Sequence, residues 1–192
     1  MKNIREMSRA ELGALVQEKL RSKGIDEILS GGSCVSIYSN EQYVSMDLDM
    51  IHASLFAPKR NIIREALQEL GFSEEGRYFK HPETEIFVEF PPGPPSVGEE
   101  PVRQIVDRRE CTGVLRLLSP TECVKDRLAS YFYFHDEQCL QQAVLVTQLN
   151  RVDLDEVERW SQNEGQDDKY RKFIELVDYQ CPSRNRPYRR MP

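Results

Sequence analysis

Residues 31–50 read Gly31-Gly32-Ser33-Cys-Val-Ser-Ile-Tyr-Ser-Asn-Glu-Gln-Tyr-Val-Ser-Met46-Asp47-Leu48-Asp49-Met50. Two glycines and a serine close one apolar run, and two carboxylates stand one residue apart in the next. In Met46–Met50 apolar and acidic residues alternate, so a strand here projects Asp47 and Asp49 from one face and Leu48 toward the core. Like charges side by side repel, and the arrangement requires a reason.

Upstream, Ser8-Arg9-Ala10-Glu11 forms a capping box, and Leu12, Leu15, Val16 and Leu20 make one helical stripe that Gly24 ends. Ile25–Leu29 reads as a short strand, followed by the Gly31-Gly32-Ser33 turn and a short helix; Asn40–Tyr43 is a loop. Downstream, Pro58 opens a helix with Ile62, Ile63, Ala66, Leu67 and Leu70 on its buried face, ended by Gly71. Phe72–Lys80 and Glu85–Phe90 suit hairpin strands around residues 81–84. Residues 91–101 hold five of the chain's eleven prolines, which excludes helix and inner strand. Val102–Val106 and Gly113–Leu118 offer two more strands.

At Ser119 the character changes. Ser119-Pro120-Thr121-Glu122 is a second capping box with proline at the first helical position. The pattern then stays helical to about Tyr179, interrupted near Asn150 and near Gly165. Tyr131–Phe134 covers all sides of a helix, which suits core packing, as does Trp160 between the last helices. The chain divides into an α/β half (1–118), a helical half (119–182) and a basic tail (183–192) with Arg184, Arg186, Arg189 and Arg190.

Composition restricts the partners. With 192 residues, 39% hydrophobic and 30% charged, the chain suits an ordinary globular protein. Its charged start lacks the apolar core of a leader, and no stretch approaches the ~18 apolar residues of a membrane span. The cysteines at 34, 111, 123, 139 and 181 are scattered without a C-x-x-C pair, which fits reduced thiols in a cytoplasm and argues against structural zinc. A net charge of -6 argues against strong non-specific nucleic-acid binding.

Magnesium, a hard divalent cation, takes carboxylate oxygens and substrate phosphates, and cancels the repulsion between Asp47 and Asp49. A Gly-Gly-Ser turn lets backbone approach a phosphate, and the N–H groups of the helix it opens attract anions. Together these features suit a cradle for a nucleoside triphosphate and its Mg²⁺ or Mn²⁺ ions.

The stretch resembles the signature of the DNA polymerase β-like nucleotidyltransferase superfamily, a Gly-Ser turn followed by Asp-x-Asp, with Gly32, Ser33, Asp47 and Asp49 matching. The resemblance implies an α+β fold: a nucleotidyltransferase-like mixed β-sheet flanked by helices, followed by a C-terminal helical subdomain. It also implies a third carboxylate from a later strand. Glu85, Phe87 and Glu89 share one face of the only suitable strand, and Glu89, nearer its end, is the choice. Lys125-Asp126-Arg127-Leu128-Ala129 followed by Phe134-His135-Asp136 is similar to the helical region of AbiEii-type (type IV toxin) nucleotidyltransferases. Arg127 stands at that family's Lys/Arg position, and His135 replaces its basic residue before Asp136.

The implied activity is metal-dependent transfer of NMP from an NTP to an acceptor hydroxyl on an RNA end, a protein or a small molecule, with a cognate antitoxin as partner on the toxin reading. Asp47, Asp49 and Glu89 are the expected catalytic and metal-binding residues. Gly31, Gly32, Ser33, Lys125, Arg127 and Asp136 are the expected nucleotide-binding residues, Lys125 and Arg127 competing for one cleft because they face different sides of a helix. A catalytically degenerate nucleotide-binding or regulatory module and an antibiotic-modifying nucleotidyltransferase remain as alternatives.

Overall fold

A computed structural model describes residues 3–54, 58–93 and 95–180, so Cys181 and the basic tail lie outside the described residues. Helix α1 (Arg9–Arg21) begins at Ser8, whose hydroxyl accepts from the Glu11 N–H while Glu11 accepts from the Ser8 N–H. Strand β1 (Glu27–Ser30) runs directly into α2 (Gly31–Tyr38), so the glycines form the first helical turn and not a turn ahead of it. Strand β2 (Asp47–His52) carries the Asp-x-Asp sequence.

Helix α3 (Arg60–Gln68) follows, with Lys59 at its N-cap, which leaves Pro58 one residue outside the helix. Ile63, Ala66 and Leu67 are its buried residues. The expected first hairpin strand is divided by a turn at Gly76-Arg77 into β3 (Ser73–Glu75) and β4 (Tyr78–His81), and β5 (Thr84–Glu89) returns alongside β4. The proline-rich stretch contains a small separate hairpin, β6 (Ser96–Val97) and β7 (Glu100–Pro101). A last hairpin joins β8 (Ile105–Glu110), which starts later than its apolar residues suggested, to β9 (Gly113–Leu118).

The main sheet has seven strands in the order β3-β4-β5-β2-β1-β9-β8. It is mixed: β2/β5 and β1/β9 are parallel, and the other neighbours antiparallel. Leu48 and Met50 are fully buried beneath it, and α1 lies on that side, its Gln17 donating to Met50 Sδ and to the Arg116 carbonyl.

Four helices end the described residues: α4 (Pro120–Phe134), α5 (Glu137–Leu149), α6 (Leu154–Asn163) and α7 (Asp167–Gln180). Ser119 caps α4 through the Glu122 N–H, but the reciprocal half of the expected capping box is missing. The Ser119 N–H is already donated to the Gln104 carbonyl, and the Glu122 carboxylate turns to Lys125. A further break separates α4 from α5. His135 takes a left-handed conformation (φ 57°), which a non-glycine residue adopts at a cost of about 1–2 kcal/mol, and Asp136 caps α5 through the N–H groups of Gln138 and Cys139.

The aromatic run divides in consequence. Tyr131 and Phe132 are buried, Phe132 stacked on Trp160 at 5.4 Å, whereas Tyr133 and Phe134 at the helix end are exposed. Trp160 is fully buried and donates Nε1–H to the Val97 carbonyl, tying the small hairpin to α6. One buried apolar cluster runs from α1 through the sheet to α7.

Candidate functional site

Parallel pairing of β2 with β5 puts Asp47 opposite Phe87 and Asp49 opposite Glu89. Partners in register share a face, so strand alternation delivers Asp47, Asp49 and Glu89 to one patch. A carboxylate oxygen from each lies within 4.8 Å of the others, and all three are half-buried. Glu85, the other acidic residue on that face of β5, is exposed.

The glycines exist for these carboxylates. Gly31 has φ +67°, and a Cβ there would sit 2.1 Å from Asp49 Oδ2. A Cβ on Gly32 would come within 2.7 Å of Ser45 Oγ, and that hydroxyl donates to Asp47 Oδ1. Ser33 is fully buried and its hydroxyl donates to the Asp47 carbonyl, so its side chain joins α2 to β2 and is not presented to an open cleft. What that turn offers a ligand is its N–H groups, that of Ser33 included, which have no partner inside the helix.

Electrostatically the patch is incomplete. Burial, then the charges of Asp47 and Glu89, push the Asp49 carboxyl up to about 7, with the positive charge of Arg127 opposing and Asp126 adding to the rise. Three carboxylates converge here, with Arg127 at Asp49 and Arg77 at Glu89 offsetting part of their charge, a donor set of the kind that hard divalent cations take.

The expected cations separate sharply. Arg127 is within electrostatic reach of Asp49; it donates Nε–H to Asp126 at 3.0 Å and Nη1–H to Cys139 Sγ at 3.8 Å. Lys125 is 0% exposed, its ammonium between Glu122 (3.2 Å) and Glu156 (3.3 Å) and over the Trp160 ring. It is a core ion pair, and its proposed contact with nucleotide is corrected by its burial. Asp136 spends one carboxylate oxygen on the α5 cap and the other on the Cys139 thiol, which makes it a structural cap.

Two cations escaped the sequence reading. Arg77, exposed on the turn before β4, pairs with Glu89 at 3.2 Å. Arg9, nearly buried at the start of α1, reaches Ser33. Gly76 offered a turn inside the expected strand, but nothing local sets Arg77 against Glu89, twelve residues on. For Arg9 no local signal exists, because its partner is 24 residues away.

No protein-family model and no curated protein matches the sequence. Among solved structures, the chain is similar to an antigenic nucleotidyltransferase-like protein from Paracoccidioides brasiliensis, at 14% identity over 91% of this chain and 89% of that one, with a TM-score of 0.54. More distantly it is similar to the antibiotic-resistance factor ANT(2'')-Ia, at 12% identity over 86% of this chain and 92% of that one, with a TM-score of 0.45. The chain has a nucleotidyltransferase-like fold: a mixed sheet flanked by helices. Among the described residues no helix is long and apolar enough to cross a membrane.

Proposed function

We propose that this protein transfers a nucleoside monophosphate from an NTP to an acceptor hydroxyl. The observation that carries this reading is the Asp47–Asp49–Glu89 patch on adjacent parallel strands, beside the first turn of α2. The donor set fits divalent metal: three half-buried carboxylates within one ion's reach, Asp49 among them pushed up to about 7 by burial and then by its neighbours, and a glycine where any side chain would displace it. Asp47, Asp49 and Glu89 would hold Mg²⁺ or Mn²⁺. When bound, such ions polarise the reacting phosphate and lower the pKa of the attacking hydroxyl.

The chain's own residues do the rest. Ser45 and Ser33 fix the side chain and backbone of Asp47. The N–H groups opening α2 orient phosphate oxygens, and Arg127, on α4, offsets the charge that accumulates as pyrophosphate leaves. The similarity of the Lys125–Asp136 stretch to toxin nucleotidyltransferases favours an RNA end as acceptor.

Incubation with labelled NTPs, Mg²⁺ and total RNA or total protein tests the reading. Label is expected in one acceptor class, and Asp47→Asn or Asp49→Asn is expected to lower transfer at least ~100-fold, about 2.7 kcal/mol at the transition state. Near-wild-type transfer by either variant refutes the mechanism.

A further inference from the structure

Arg9 and Arg127 are the two deeply placed arginines near the carboxylate patch, and their electrostatic situations differ. Arg127 is neutralised on the spot by Asp126, which takes two of its N–H groups. Arg9 is 5% exposed, yet its contacts are sparse: Nη1–H reaches Ser33 Oγ at 3.4 Å, Nη2–H reaches Glu41 Oε2 at 3.4 Å, and Nε has no hydrogen-bond partner. A guanidinium carries five donors and stays charged, so burying it against one long ion pair leaves it under-satisfied. The Glu41 side chain is itself 48% exposed, free to leave without burying a charge.

The location gives this imbalance meaning. Ser33 is the third residue of α2, and its hydroxyl rests on the Asp47 carbonyl. One small region thus brings together a buried, under-satisfied guanidinium, the start of α2 and the backbone of Asp47. The Glu41 carboxylate reaches Arg9 because its own N–H caps α2 on the Ser36 carbonyl, folding the loop back along the helix.

We propose that Arg9 receives the terminal phosphate of the NTP, and that Glu41 is an internal anion holding that place until nucleotide displaces it. This rests on the nucleotidyl-transfer reading and adds to it a cation from α1 and a competitor within the chain. A phosphate presents several oxygens to the guanidinium fork where Glu41 presents one at 3.4 Å, so the exchange favours the nucleotide. It also makes apparent NTP affinity lower than the intrinsic affinity of the emptied place, since Glu41 must first be removed.

Isothermal titration of the full chain with inorganic tripolyphosphate, and with a non-hydrolysable NTP plus Mg²⁺, provides the test. Glu41→Gln keeps the cap but removes the competing charge, and is expected to tighten both ligands about threefold or more while lowering the melting temperature of the ligand-free chain, because the buried Arg9 loses its counter-charge. Arg9→Lys is expected to weaken both about tenfold, because the fork is lost. Unchanged or weaker binding by Glu41→Gln overturns the proposal, and that variant decides alone if Arg9→Lys fails to fold. If Asp49→Asn abolishes transfer while neither Arg9→Lys nor Glu41→Gln alters binding, this inference falls and the transfer reading stands. If the wild type binds neither ligand, both fall.

Discussion

The sheet side of the cleft and its helical side present charged residues in contrasting ways. On β2 and β5 the acidic residues alternate with Leu48, Met50 and Val88, all fully buried, and every carboxylate on the alternate face arrives where the alternation sends it. On α4, Lys125 and Arg127 sit two residues apart in an equally charged stretch, and one is locked in the core while the other approaches the carboxylates. A strand has two faces, so polarity alone assigns a residue. A helix has a continuous circumference, and assignment depends on what packs around it; here α6 brings Glu156 to Lys125.

The largest expected effect sharpens this contrast. Lys125→Ala strands Glu122, which is 1% exposed, without its cation. Breaking a buried pair costs about 3–5 kcal/mol, so urea denaturation is expected to show a loss of that order while transfer per folded molecule is retained. Arg127→Ala is expected to do the reverse: about a tenfold loss of transfer with a smaller loss of stability, partly recovered by Arg127→Lys. If Lys125→Ala abolished transfer at full stability, the separation of the two residues would collapse.

The second test sets the two glycines against each other. Gly32 looked in the sequence like a place where backbone meets phosphate, so that Gly32→Val would weaken NTP binding more than it lowers the melting temperature. In the fold its missing side chain faces Ser45 and Tyr43. Gly32→Val is therefore expected to cost about 1–3 kcal/mol by overpacking, seen in thermal melts. At Gly31, by contrast, the missing Cβ coincides with Asp49 Oδ2. Gly31→Ala is expected to weaken Mg²⁺ binding in titration calorimetry more than Gly32→Val does. The opposite order would mean that Asp49 tolerates displacement.

These contrasts mark what the sequence could carry. The capping box at Ser8, the alternation in β2 and β5 and the helix breaks near Asn150 and Gly165 are local patterns, and each was legible. The break at His135-Asp136 was present as an Asx cap directly after the aromatic run, where the helical pattern reads on without a glycine or proline to interrupt it. The full capping box at Ser119 failed because Gln104, fifteen residues earlier, claims its N–H. Ser33 and Arg9 were illegible because their partners lie 14 or more residues away; for Lys125 the i,i+3 pair with Glu122 was a local pattern, and what the sequence hid was its burial beside Glu156, 31 residues on.

The smallest effect is a pH dependence that only the carboxylate side should show. In the metal-free fold Asp49 is raised from 3.8 to about 7, chiefly by burial and then by Asp47 and Glu89. A carboxyl raised in the folded state binds its proton more tightly there than in the unfolded chain. Its contribution to stability is therefore full below about pH 4 and is lost as pH rises toward 7. Glu27 is likewise raised to about 8 by burial, but it is common to wild type and Asp49→Asn and cancels in their difference. Melting curves in EDTA are expected to show Asp49→Asn gaining on wild type by a few degrees between pH 4 and 7, then holding a constant lead. Saturating Mg²⁺ should reverse that lead above pH 7, because the ion stabilises only the chain that keeps all three carboxylates. Parallel curves with and without Mg²⁺ would show that Asp49 carries no unneutralised charge, and the floor of the cleft would then be as self-satisfied as the buried pair at Lys125.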